Sequence, residues 1–172
     1  MAKPTSAVKV ERSARMVTPV GRASYPHVIT AHAFDANSEP KYSCAVLLPK
    51  NKENNAFIEK LRELRDSATA QLYPKKAPGN FEEWGIADGD EGTDPTAEGC
   101  WIVKGANKTA PAVIDTFKNP INDDDVVYGG CNVRLSICAK AYGTASKGGV
   151  TFELVAVQKV ADNMPFGGAA KA

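Results

Sequence analysis

Cations and an aromatic ring alternate with apolar residues along the segment 131–142. The odd positions of this segment are all apolar, whereas Arg134, Lys140 and Tyr142 occupy even positions. A period of two predicts a strand whose odd side chains enter a core and whose even side chains point outward. Cations neutralise phosphates and aromatic rings stack on bases, so the outward face is typical of a surface that holds an unpaired nucleic-acid strand.

Further residues of the same chemistry occur in other strand-like segments and near the N-terminus. Residues 1–25 contain five Lys or Arg and one acid, whereas residues 81–98 contain seven acids and no Lys or Arg. The net charge of +1 can therefore combine a basic groove with acidic loops. The candidate nucleic-acid contacts are Arg15, Arg22, Tyr25, Lys41, Lys104, Lys108, Tyr128, Arg134, Lys140 and Tyr142.

No motif of a familiar enzyme accompanies these residues. The chain has no GxSxG, P-loop or GxGxxG, and its four cysteines form no CxxC. His27 and His32 are five positions apart in a predicted strand, so we expect them on opposite faces. The acidic segment 88–92 resembles the start of a calcium loop, but Gly99 stands where the bidentate Glu is needed. We therefore predict no catalytic residue, no metal site and no cofactor.

Length and composition fit one globular domain. The chain has 172 residues, of which 43% are apolar and 24% charged. No apolar run approaches the length needed to cross a bilayer, and residues 1–11 lack the apolar core of a secretory signal. We expect no membrane contact.

The periodicity of the remaining chain predicts one helix among several strands. Apolar residues three or four apart predict an amphipathic helix over 54–72, with Asn51 as its N-cap. In the last strand, 150–160, the apolar phase changes from even to odd positions after Leu154, which predicts a β-bulge. The segment 73–99, rich in Pro, Gly and acids, is expected to be a long loop. The other predicted strands are 16–25, 27–36, 41–48, 101–106, 111–117 and 128–142.

These elements predict a mainly β fold: an OB-like antiparallel β-barrel with one amphipathic helix and long loops. We expect the domain to span residues 15–160. A basic flexible arm would precede it at 1–14, and a flexible C-terminal tail would follow it at 161–172.

Several short segments, taken in order, resemble phage-encoded single-stranded DNA-binding proteins with an OB fold. The resemblance spans roughly residues 17 to 167 and depends on the order and spacing of its pieces. The matching pieces are ASYPHV at 23–28, PKYS at 40–43, LLPK at 47–50, DGD at 88–90, WIVKGA at 101–106, PAVID at 111–115, VYGGC at 127–131 and VQKV at 157–160.

The resemblance implies a protein of the infected bacterium's cytoplasm that coats single strands exposed during phage DNA replication or recombination. It implies neither cofactor nor catalysis. Further contacts consistent with it are weak duplex binding, self-association along DNA, and docking of a replication protein on residues 162–166. Two alternatives stay open: a phage structural or assembly protein that uses the barrel as a scaffold, and a metal-dependent nuclease.

Overall fold

The strands and the helix are defined in a computed structural model that describes residues 9–33, 36–144 and 147–166. A short 3-10 turn, Pro95–Ala97, interrupts the long acidic loop. The elements are β1 (Lys9–Val17), β2 (Gly21–His32), β3 (Lys41–Pro49), α1 (Lys52–Leu72), β4 (Glu82–Glu83), β5 (Ile86–Asp88), β6 (Cys100–Asn107), β7 (Ala112–Ile114), β8 (Asn132–Gly143) and β9 (Gly148–Ala161).

Five of the strands form a ring in the order β8, β2, β3, β6, β9 and back to β8. The long β8–β9 hairpin is one side of the ring, and two short contacts close it. Gly21 pairs with Val133 on β8, and Ala106 pairs with Glu153 on β9. This is the mainly β, OB-like arrangement that the sequence predicts. It differs from a purely antiparallel barrel because β9 runs parallel to β4, β6 and β7.

The alternation along β8 builds much of the core. Side chains at positions 131, 133, 135, 137, 139 and 141 are fully buried. They pack with Phe152 and Leu154 of β9 and with the helix residues Ile58 and Leu61. The even side chains lie on the outer face, as the period of two predicts, and of these only Cys138, opposite Arg15 of β1, is buried.

The helix ends at Leu72 and is capped by Asn51 as predicted, but it begins at Lys52, two residues before the predicted start. The Asn51 side chain accepts a hydrogen bond of 2.8 Å from the backbone N–H of Asn54, which caps the first turn. Ile58, Leu61 and Ala68 are fully buried, so the apolar stripe of α1 packs on the core. The helix in this way supplies the core with apolar side chains that the ring alone does not provide.

The bulge in β9 is also confirmed. Ile137 pairs with Leu154, whereas the neighbouring Ser136 pairs with Ala156, so Val155 is the extra residue. The bulge moves the core-facing positions of β9 from even to odd numbers, and Val157 is fully buried.

The two ends of the chain differ from the expected arm and tail. Residues 9–14 belong to β1, which pairs with β8 from Lys9 opposite Gly143 to Val17 opposite Ser136. They lack apolar periodicity because β1 is an edge strand with mostly exposed side chains. Ala161 ends β9, and residues 162–166 contact the domain; the remainder of the expected arm and tail lies outside the described residues. In the part of the chain that the structure describes, no helix is long and apolar enough to span a membrane.

Candidate nucleic-acid interface

A cationic groove of about 660 Å³ lies on the outer surface of the ring, between β1, the end of β6 and the β8–β9 hairpin. We call it the basic groove. Four of its lining side chains are cations, and Glu153 is the one carboxylate among its described lining residues. The groove is lined by Arg12, Ser13, Arg15, Asn107, Lys108, Thr109, Ala110, Cys138, Lys140, Glu153 and Val155.

Strand register places the cations of the basic groove together. Arg12 lies directly opposite Lys140, and Arg15 lies opposite Cys138 in the β1–β8 pair. The Arg12–Arg15 segment contains a register shift, where the Ser13 hydroxyl accepts a hydrogen bond of 2.8 Å from the backbone N–H of Ala139. Directly opposite cations repel each other, so a nearby anion stabilises this pairing.

Glu153 supplies that anion. Its carboxylate accepts hydrogen bonds from Arg12 Nε at 3.1 Å and Arg12 Nη2 at 3.2 Å, and it lies 3.8 Å from Lys140 Nζ. The side chain of Glu153 is only 18% exposed, whereas that of Arg12 is 50% exposed. A two-pronged contact of this kind is the one that guanidinium groups also make with phosphate.

Lys108 connects the groove to the neighbouring outer surface of β2, β3 and β6. It forms an exposed ion pair with Glu39 at 3.1 Å in the β2–β3 connection. Lys41 and Lys104 point outward from this surface and are exposed. Tyr25 is 73% exposed with a φ of 47°, at an irregularity in the β2–β3 register.

The two histidines lie on this surface together, so the expectation of opposite faces is wrong. Their rings stack with centroids 4.3 Å apart and planes 11° from parallel. His27 pairs with Ser43 and His32 with Lys41, so the extra residues between them on β2 form an irregular bulge that cancels the parity. Burial lowers the pKa of His27, and the nearby His32 and Lys104 lower it further, while Asp124 acts in the opposite direction.

Arg134 and Tyr142 lie on the outer face of β8 at opposite ends of the strand. Arg134 is exposed and lies opposite Gln158. Tyr142 is half-buried because its ring covers Gly149, where an added Cβ would lie 2.7 Å from the phenol oxygen. The two residues therefore share the face of Lys140 but differ in access to solvent.

Arg22 and Tyr128 contact residues 162–166 of the same chain. Arg22 Nη2 donates to the Met164 carbonyl, and its guanidinium lies 4.2 Å from the centroid of the Phe166 ring. The Tyr128 hydroxyl donates to the Asp162 carboxylate at 2.9 Å. The hydrogen bond from Lys159 Nζ to the same carboxylate, at 2.6 Å, and the one from Tyr128 hold the pKa of Asp162 below its usual range. Both predicted contacts thus have intramolecular partners.

The acidic segment that resembles a calcium loop is held by a lysine. Lys50 Nζ lies 2.6 Å from Asp88 and 2.7 Å from Asp90, and these contacts lower the pKa of both carboxyl groups. The same ammonium lies 4.9 Å from the centroid of the Trp101 ring. Among residues 9–33, 36–144 and 147–166, no group of three or more Cys, His, Asp or Glu is arranged to hold a metal.

The structure brings three predicted contacts, Arg15, Lys108 and Lys140, into the basic groove and adds two residues that the sequence analysis missed. Arg12 fell in the expected arm, and Glu153 is an isolated acid in a strand. The basic character of the segment 9–15 was a signal for Arg12. For Glu153 no local signal exists, because its partner is 141 positions away.

An OB-like ring with a cationic outer groove and exposed rings defines a class of nucleic-acid-binding proteins. The family described as Enterobacter phage Enc34, ssDNA-binding protein, matches residues 14–172, and the chain belongs to this family.

Solved structures of phage single-stranded DNA-binding proteins are similar to this chain. The chain is similar to the single-stranded DNA-binding protein from bacteriophage Enc34 in complex with ssDNA, with 26% identity, 89% of each chain covered and a TM-score of 0.73. Another structure of that protein covers 92% of this chain and 87% of its own, with 26% identity and a TM-score of 0.69. The single-stranded DNA-binding protein encoded by bacteriophage T7 shares the fold, with 14% identity, 92% and 97% coverage and a TM-score of 0.61. The comparison with curated proteins found no match.

Proposed function

We propose that this protein binds single-stranded DNA without sequence preference and coats strands exposed during phage replication or recombination. The observation that carries the proposal is the basic groove, where Arg12, Arg15, Lys108 and Lys140 line one cavity in a chain of net charge +1. Cations concentrated in this way bind a phosphate backbone and release its counterions. The proposed activity is binding without catalysis or a cofactor, in the cytoplasm of the infected bacterium.

The proposed contacts extend from the groove in two directions over the outer surface. On one side, Lys108 adjoins the outer surface of β2, β3 and β6, which carries Lys41, Lys104 and Tyr25. On the other side, Arg134 lies on the same face of β8 as Lys140, and Tyr142 lies at the opposite end of this strand. Backbone contacts to phosphates carry no sequence information, and rings stack on every base, so this surface suits binding without sequence preference.

Arg22 and Tyr128 remain among the proposed contacts, and residues 162–166 compete with DNA for both of them. Weak duplex binding, self-association along DNA and docking of a replication protein on 162–166 belong to the same proposal. Family membership favours DNA binding over the two alternatives, a structural phage protein and a nuclease.

The test is fluorescence anisotropy of a labelled single strand of about 30 nucleotides at several salt concentrations. We expect the double variant Lys108→Ala, Lys140→Ala to bind more weakly and to reduce the slope of log affinity against log salt by about 1.4, since each phosphate contact on a single strand contributes about 0.7.

The matched control is Lys52→Ala, Lys60→Ala, which removes the same charge from exposed positions on α1 outside the groove. This control should retain the slope of the unmodified protein. Equal losses in the two double variants would contradict the groove as the binding site, and no binding at low salt would contradict the function itself.

A further inference from the structure

Phe117 is the most exposed of the large apolar side chains in the described residues, at 83%. It lies between β7 and β8, seven positions after Ala110 of the basic groove. Single exposed apolar residues are common on protein surfaces, so exposure alone indicates nothing about function. Two further features distinguish Phe117: it lies in a hydrogen-bonded turn, and this turn lies beside the outer face of β8 and β9.

The turn that carries Phe117, residues 115–119, is closely hydrogen-bonded, and we call it the distal turn. The Asp115 carboxylate accepts hydrogen bonds from the backbone N–H of Phe117 at 2.8 Å and of Asn119 at 2.9 Å. The backbone N–H of Asp115 donates to the Asn119 carbonyl at 3.0 Å. Lys118 has a φ of 65°, a left-handed conformation that non-glycine residues rarely adopt. These hydrogen bonds therefore restrict the backbone conformation of the turn that carries Phe117 and Lys118.

The distal turn lies at the end of the outer face that begins in the basic groove. Gln158 donates to the Asp115 carbonyl at 3.3 Å, and Gln158 is directly opposite Arg134 on β8. Arg134 and Lys140 occupy the same face of β8, six positions or about 20 Å apart. A strand held by Lys140 that continues along β8 over Arg134 thus reaches the distal turn.

We propose that the distal turn is a second contact for the same DNA strand, in which Phe117 stacks on a nucleobase and Lys118 neutralises a phosphate. The inference rests on the proposed function, and neither residue was among the predicted contacts. Two cations near the turn suit an anionic polymer, because Lys118 belongs to the turn and Arg134 lies across Gln158. The Asp115 carboxylate keeps its negative charge, but its hydrogen bonds direct it toward the backbone of the turn. An aromatic side chain has only two rotatable bonds, so holding its ring against a base costs little conformational entropy.

The test compares binding of a normal single strand of about 30 nucleotides with an abasic strand of equal length. Phe117→Ala should weaken binding of the normal strand by about 5- to 150-fold, the range of one stacked base, with an unchanged salt slope. It should leave the abasic strand unaffected, because that strand has nothing to stack. Phe117→Trp should retain the affinity, and Lys118→Ala should reduce the salt slope by about 0.7 on both strands.

The matched control is Trp84→Ala, which removes another exposed aromatic side chain, 53% exposed, between β4 and β5 and outside the basic groove. The inference is overturned if Phe117→Ala binds the normal strand like the unmodified protein while the groove double variant binds more weakly. It is also overturned if Phe117→Ala weakens both strands alike, since that result indicates a general structural defect. A groove variant without effect contradicts instead the proposed binding surface, so the two failures are distinguishable.

Discussion

At the scale of single residues, the carboxylate of Glu153 determines the electrostatic state of the basic groove. It contacts Arg12 with both oxygens and lies near Lys140, the two cations that face each other across the β1–β8 pair. Without DNA, Glu153 therefore neutralises charge that a phosphate would otherwise neutralise. A strand that enters the groove has to compete with this carboxylate for Arg12 and Lys140.

We accordingly expect Glu153→Gln to bind single-stranded DNA more tightly. The gain should be about two- to fivefold, since partly exposed ion pairs of this kind contribute about 0.5–1 kcal/mol. The salt slope should become steeper because Arg12 and Lys140 then hold counterions that DNA releases. Anisotropy titrations at several salt concentrations measure both quantities. Glu63→Gln on the exposed side of α1 is the control, and weaker binding by Glu153→Gln would show that the carboxylate organises the groove instead.

At the scale of elements, the segment 162–166 is bound to the ring through backbone and side-chain contacts. The backbone N–H of Phe166 donates to the Gly129 carbonyl at 2.9 Å, and Arg22 donates to the Met164 carbonyl. Gly130, with a φ of 111°, is approached so closely that a Cβ atom there would collide with the Met164 carbonyl oxygen. Glycine at this position satisfies both the backbone conformation and the close approach.

Gly130→Ala should therefore reduce the free energy of unfolding by about 1–3 kcal/mol, the cost of a strained backbone combined with the loss of these contacts. Urea unfolding followed by tryptophan fluorescence measures the change. Gly79→Ala is the matched control, because a Cβ at Gly79 would meet no atom within 4 Å. If the two variants unfold at the same urea concentration, the close contact at Gly130 does not contribute to stability.

At the scale of the whole molecule, the distribution of charge matters more than its sum. The net charge is +1, yet four cations line one groove, and a lysine holds two acids of the segment 88–92. The Debye length is about 10 Å at 0.1 M salt, so charges outside the groove are largely screened from a bound strand. Affinity for DNA should thus depend on the cations of the groove and only weakly on the net charge of the protein.

The double variant Glu53→Gln, Glu63→Gln tests this point, because it removes two acids from exposed positions on α1. We expect its affinity for a single strand at about 0.1 M salt to change less than threefold, since screening at that salt weakens distant charges. The double variant Lys108→Gln, Lys140→Gln alters the net charge by the same amount in the opposite direction. Its affinity for the single strand should fall by much more than threefold. If the two variants change the affinity by similar factors in opposite directions, the net charge governs binding.

The fold was predictable from the sequence where it depends on the spacing of residues within a single helix or strand. The buried positions of β8, the helix α1 with its Asn51 cap and the bulge at Val155 follow from spacing along the chain. In each case a side chain's environment depends on its position within one element, and the element has a fixed period. These features identified an OB-like fold, and the short motifs along the chain indicated its family.

Tertiary structure decided which side chains meet. Arg12 reaches Glu153 across 141 positions, the bulge in β2 stacks His27 on His32, and residues 162–166 cover Arg22. Periodicity determines the direction of a side chain but not its partner, because partners come from the register of distant strands and from irregularities between them. Most of the candidate cations and rings were therefore predictable from the sequence, whereas the assembly of Arg12, Arg15, Lys108 and Lys140 into one groove depended on how β1, β6, β8 and β9 come together.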